Sequence, residues 1–123
     1  MLRVLVVEDD PAIRDTVATA LRRAGHQAVA VSSARARGEA LSGSRFDAIV
    51  TDALIPARNC LELLEFLQNG RSHVPVLAIS GGGYSAAGTL PIVKLLGAQA
   101  TLSKPFAPSE LVAAVESMVE CAG

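Results

Sequence analysis

Four short apolar runs in this chain each end in polar residues able to do chemistry. Leu5-Val6-Val7 leads into Glu8-Asp9-Asp10, and Ala48-Ile49-Val50-Thr51 into Asp52. Val76-Leu77-Ala78-Ile79 leads into Ser80, and Ala100-Thr101-Leu102-Ser103 into Lys104-Pro105. Asp9 and Asp52 carry the most weight, because each comes after an apolar run that reads as a strand and so can stand at a sheet edge, and Glu8 or Asp10 could join them. Carboxylates gathered at one place repel one another unless a cation lies among them, and a hard dication with oxygen ligands, Mg²⁺, meets that need. Asp10 has a competing use as the cap of a helix opened by Pro11. Lys104 is one of only two lysines among eleven basic residues, the other being Lys94. Its ammonium is a compact charge suited to a carboxylate or a phosphoryl oxygen. Ser80 brings a hydroxyl but no histidine close enough in sequence for Ser-His-Asp chemistry. His26, after Gly25, and His73, before a strand, read as surface residues. Gly81-Gly82-Gly83 matches neither a G-x-x-x-x-G-K-[ST] loop nor a G-x-G-x-x-G turn.

These groups can cooperate only if the runs that carry them end side by side. Leu2 to Val7 is too short and too rich in valine for a helix, and reads as a buried strand. Ile13, Val17, Ala20 and Leu21 then recur at helical spacing until Gly25. Ala28 to Val31 is a second strand, and Ser32 or Ser33 caps a helix running to about Leu41. The third strand runs to Thr51, followed by a loop with Pro56. Leu61, Leu64, Phe66 and Leu67 support a third helix, ended by Asn69-Gly70. Val76 to Ile79 is the fourth strand, and a weaker helix after the glycine run ends near Gly97. A short fifth strand reaches Leu102, and Leu111, Val112, Val115, Met118 and Val119 mark a final helix. Alternating strands and helices imply an α/β fold: a parallel sheet with helices on both faces and right-handed crossovers. Such sheets bind ligands outside the carboxyl ends of their strands.

Composition narrows the classes further. The 123 residues suit one domain spanning 1–123, and half of them are apolar, enough for a core built from Ala, Val, Leu and Ile. The net charge of −1 gives no global nucleic-acid footprint. The opening apolar run is too short for a secretion signal or a membrane span. Cys60 and Cys121 fit no metal-ligand spacing and read as reduced thiols of a cytoplasmic protein. Few residues follow the last helix, so no attached effector or DNA-binding domain is expected.

The ordered set resembles the receiver domain of two-component response regulators. The matching residues are Val6-Val7-Glu8-Asp9-Asp10-Pro11, Thr51-Asp52 with Pro56 four residues later, Ile79-Ser80-Gly81, and Lys104-Pro105-Phe106. The resemblance spans essentially the whole chain. It implies a doubly wound, flavodoxin-like sheet of five parallel strands in the order 2-1-3-4-5, flanked by five helices. It also implies that Asp52 is the phosphoacceptor, with Mg²⁺ held by Asp9, Asp52, the backbone carbonyl of Leu54 and, mainly through water, Glu8. Ser80 would hydrogen-bond one phosphoryl oxygen and Lys104 would pair with another. The donor would be a phosphohistidine on a sensor histidine kinase or phosphotransfer protein. The output would be a shift of Ser80 and the glycine loop, read by a downstream protein on the face of the fourth helix, fifth strand and fifth helix. A homodimer linked to phosphorylation is left open. Beyond its own phosphorylation and slow dephosphorylation, no enzymatic activity is expected.

The chain departs from the family pattern in places. Thr101 stands at the switch position three residues before the lysine, where an aromatic is common, and Tyr84 in the glycine loop cannot simply replace it. The Asp-Gly often found after the loop proline reads Asn59-Cys60. Leu54 and Gly82, two residues past Asp52 and Ser80, lie at positions that flank the attacking water in receivers. Neither can hydrogen-bond that water by side chain, so a long-lived phosphoryl group is expected. Two other classes compete. A Mg²⁺-dependent phosphatase with an aspartyl nucleophile would need a second acid that Asp52-Ala53-Leu54 lacks. An interaction module that is never phosphorylated would not need the intact acids, hydroxyl and lysine.

Overall fold

The computed structural model describes residues 1–32, 46–52, 74–80, 98–103 and 105–122. Five strands are present: β1 (Arg3–Val7), β2 (Gln27–Val31), β3 (Ala48–Asp52), β4 (Val76–Ser80) and β5 (Ala98–Ser103). Among the described residues two helices accompany them, α1 (Pro11–Arg23) and α2 (Pro108–Ala122). All strands are parallel and form one sheet in the order β2-β1-β3-β4-β5. This is the expected doubly wound order, with each strand within a residue or two of its expected limits. The expected second, third and fourth helices lie outside the described residues.

The sheet is apolar on both sides, as a parallel sheet must be. Val4, Val6, Ala48, Val50, Leu77 and Ile79 pack with Val17, Ala18 and Leu21 of α1 and Leu111, Val115 and Met118 of α2. On the opposite side Leu5, Val7, Ile49 and Ala78 are equally closed to solvent. Among the described residues the aromatic rings at the margins of the core are Phe46 and Phe106, and Arg3 lies over the Phe46 ring at 5.3 Å.

Both helices start on the same device, a proline in the first turn. In α1 the Asp10 side chain accepts from the Ala12 N–H at 2.9 Å, so the capping role expected of Asp10 is realised. In α2 the Glu110 Oε1 accepts from the Ala107 N–H at 3.0 Å, the returning half of a capping box. At the other end of α1, Arg22 and Arg23 suit the negative end of the helix dipole.

The turn between α1 and β2 corrects the reading of His26 as a surface residue. Gly25 adopts φ +93°, a conformation that costs other residues energy, and so reverses the chain. His26 then folds inward, and its side chain keeps only 9% exposure. Its N–H donates to the Leu21 carbonyl at 3.0 Å, and its Nδ1 accepts the Leu2 N–H at 3.0 Å. With Nδ1 an acceptor, the ring proton resides on Nε2, which donates to Glu116 Oε2 at 2.7 Å. His26 therefore ties the end of α1 through its backbone, and the start of β1 and the outer face of α2 through its imidazole. The periodicity of the sequence could not show this, because the partners lie 24 and 90 residues away.

His26→Ala should lower the unfolding free energy by about 1–3 kcal/mol, since it leaves the Leu2 N–H without its acceptor. Glu116 is half-exposed, and Glu116→Ala should cost under ~1 kcal/mol. Gly25→Ala should cost about 1 kcal/mol through its backbone alone, because no atom crowds the position of the added Cβ. Urea unfolding of the three variants checks this ranking.

Candidate functional site

The register decides which residues can share a site. Val7 pairs with Thr51, Thr51 with Ala78, and Ala78 with Thr101, forming one row across four strands. One residue further along, Asp52 pairs with Ile79 and Ile79 with Leu102, and Glu8 continues β1 beside Asp52. The ladder holds as far as Glu8, whose N–H still donates to the Val31 carbonyl at 3.0 Å. A further residue along, Ser80 pairs with Ser103, the residue before Lys104, and Asp9 ends the β1 side. Neighbouring strands are about 4.8 Å apart. The backbones of Glu8, Asp9, Asp52 and Ser80 are thus gathered at one carboxyl edge of the sheet, with Asp52 on the central strand. Asp52 and Ser80 are the last residues of β3 and β4 rather than the first residues beyond them. Lys104 and the Leu54 carbonyl lie outside the described residues.

The three consecutive acids after β1 divide into different environments. Glu8 is 3% exposed and so is a buried acid, not a solvated surface one. Burying a carboxylate is costly unless it is paired, and neither Glu8 nor Asp9 is without a partner. Asp9 is exposed, at the mouth of the edge, and Asp10 is committed to capping α1. Asp10 therefore does not join the acidic group, while Glu8 and Asp9 remain as hard oxygen donors next to the end of β3. That donor chemistry suits Mg²⁺.

Arg14, which sequence reasoning passed over, belongs to this edge. Its Nη1 donates to the Glu8 carbonyl at 3.1 Å, and its backbone N–H donates to the Asp10 carbonyl at 2.9 Å. The available signal was its place four residues after the capping Asp10, which turns it back over the acids. Thr51 is 1% exposed directly before Asp52. Thr101 is exposed on β5 in the row just before that of Asp52, so the position where the family commonly has an aromatic carries a short, solvent-facing hydroxyl.

Comparison with known proteins agrees with this architecture. The chain is 33% identical over 119 residues to the transcriptional regulatory protein FixJ of Bradyrhizobium diazoefficiens, covering 94% of this chain and 56% of FixJ. It is 35% identical over 118 residues to the transcriptional regulatory protein TcrA of Mycobacterium tuberculosis, covering 95% of this chain and 46% of TcrA. It therefore spans about half the length of these curated relatives. The crystal structure of full-length FixJ from B. japonicum superposes with a TM-score of 0.83 at 31% identity, over 98% of this chain and 59% of that one. The receiver domain of the sensor histidine kinase PA1611 from Pseudomonas aeruginosa shares the fold, with a TM-score of 0.78 at 24% identity over 97% of this chain and 98% of that one. That structure has a magnesium ion coordinated in its active-site cleft. The family model of the response regulator receiver domain matches residues 4–116, and with the sheet order and the acidic strand edge already described, this chain belongs to the response regulator receiver domain family.

Proposed function

We propose that this receiver domain is a phosphorylation switch in which Asp52 accepts a phosphoryl group from a phosphohistidine on a sensor histidine kinase or phosphotransfer protein. The observation that carries the reading is the register that gathers the backbones of Glu8, Asp9, Asp52 and Ser80 at one edge, with Ser103, which precedes Lys104 in the sequence, paired to Ser80. In this reading Asp9, Asp52, the Leu54 carbonyl and, through water, Glu8 hold Mg²⁺. The bound metal would supply charge neutralisation on the phosphoryl oxygens. An Asp52 carboxylate oxygen attacks phosphorus in line with the leaving imidazole nitrogen, the N–P bond breaks, and the nitrogen keeps the electron pair. Ser80 donates to one phosphoryl oxygen and Lys104 pairs with another.

Phosphorylation adds close to two negative charges and new acceptor oxygens at Asp52. Ser80, at the end of β4 next to β3, would shift with the glycine run that follows it in the sequence, and a downstream protein would read that shift. Thr101 fills the switch position with a small polar group, so the output geometry does not depend on an aromatic rotamer. The chain acts by protein contact, with no turnover of an external substrate.

Incubation with acetyl phosphate and Mg²⁺ should add one phosphoryl group, located at Asp52 by mass spectrometry. Asp52→Asn or prior chelation of the metal should abolish the addition. An unmodified wild-type chain would favour an interaction module that is never phosphorylated, and steady release of inorganic phosphate from small phosphate esters would favour a phosphatase.

The phosphorylated chain should also persist well beyond seconds, because Leu54 and Gly82 bring no side chain able to orient an attacking water. Leu54→Asn should shorten the lifetime severalfold, followed by phosphate release from the purified phosphoprotein.

A further inference from the structure

We propose that the outer face of α1 is a self-association surface, on which a second copy of this chain lays its own α1 antiparallel about a two-fold axis at Thr19. A cleft of about 330 Å³ lies on this face, lined by Asp15, Thr16, Thr19, Ala20 and Arg23 of α1 and by Pro108 at the start of α2. The acid and the base among these residues stand eight positions apart, about 12 Å along the helix. Thr19 lies midway between them, and Asp15, Thr19 and Arg23 form a single ridge of residues four apart. All three are exposed.

Within one molecule these two charges have no counterpart. The helix positions three and four residues from Asp15 hold Pro11, Ala12, Ala18 and Thr19, and those before Arg23 hold Thr19 and Ala20, so no pair forms along the helix. Among the described residues neither side chain has an ion pair, whereas the adjacent Arg22 donates to the Ala28 carbonyl at 2.8 Å. A two-fold axis maps each contact onto its reverse. With the axis at Thr19, Asp15 of each copy lies opposite Arg23 of the other, and one charge pattern satisfies itself twice. A parallel copy would set acid against acid and base against base. The antiparallel arrangement also places the positive end of each helix dipole beside the negative end of the other. Any other partner would need an acid and a base at this same spacing, which a second copy already carries. One 13-residue helix offers less than the ~1,000 Å² that marks a stable interface, so the dimer is weak, with a dissociation constant of roughly 0.1–1 mM.

Sedimentation equilibrium of the full chain should show a monomer–dimer equilibrium that weakens with added salt, because the paired charges are exposed. Asp15→Arg carries bases at both positions and Arg23→Asp carries acids at both, so each variant sets like charges against one another in its own dimer. Each should self-associate about tenfold more weakly than wild type. An equimolar mixture of the two should regain the wild-type association, since every base then faces an acid. If either reversal melts early by circular dichroism, Asp15→Asn and Arg23→Gln remove the charges alone, and each should weaken association severalfold. A wild-type chain that stays monomeric up to about 1 mM overturns the proposal. So does a dimer that the substitutions leave unchanged, which would place the contact on another face. Folded charge-reversal variants that fail to combine on mixing overturn it as well. None of these outcomes bears on phosphoryl transfer to Asp52.

Discussion

Everything at the acidic edge depends on the parallel register of β1 with β3 and of β3 with β4. Side chains alternate faces along a strand, so a slip of one residue would exchange the two faces and carry Asp52 away from Glu8 on one side and Ser80 on the other. The register is enforced by burial on both sides of the sheet. Val4, Val6, Val50 and Leu77 lie against the two helices, and Leu5, Val7, Ile49 and Ala78 lie within the opposite layer. Because every position of the central strands is packed on one face or the other, a slip would exchange side chains of different size and shape between two filled layers. The chemistry at the strand ends is located by hydrophobic residues that take no part in it.

The same constraint sorts the three acids. Glu8 is still within the β1–β2 ladder and is drawn into the interior, whereas Asp10 is the last residue before the helix and is taken up by capping. Asp9 is left facing outward without a capping task, in a turn where the Arg14 Nη1 donates to the preceding Glu8 carbonyl. Three adjacent residues of similar chemistry thus acquire three different roles from their position between a strand and a helix.

At the amino edge of the sheet a different kind of order prevails. Gly25 turns the chain and His26 fastens β1, α1 and α2 together with neutral hydrogen bonds and one carboxylate contact. The Asp47 carboxylate does a related task by accepting the Arg3 N–H at 2.8 Å while its own N–H reaches the Arg3 carbonyl at 2.7 Å. The sheet therefore has a tied end and an open, charged end, a division common in parallel α/β proteins because ligands collect outside the carboxyl ends of strands.

Much of this was legible in the residues. Short valine-rich runs separated by amphipathic stretches specify parallel strands, because period and length are local properties, and the Asp10-Pro11 pair specifies a helix start for the same reason. The acids and the serine at the run ends were visible as a list of strand termini, and the gathering of their backbones at one edge followed from the strand order. What the local pattern could not contain was environment. Glu8 and Asp9 are adjacent in sequence and opposite in burial; His26 looks like a turn residue and is nearly enclosed; Arg14 looks like a solvated helix position and reaches back to the Glu8 carbonyl. Each outcome depends on groups brought close by the crossovers or by the turn closing on itself. The sequence by itself determined which elements form and which chemical groups stand at their ends, since these depend on neighbours along the chain. Tertiary structure alone decided which of those groups lose water and which backbone carbonyls and N–H groups they satisfy, because desolvation and hydrogen bonding depend on neighbours in space.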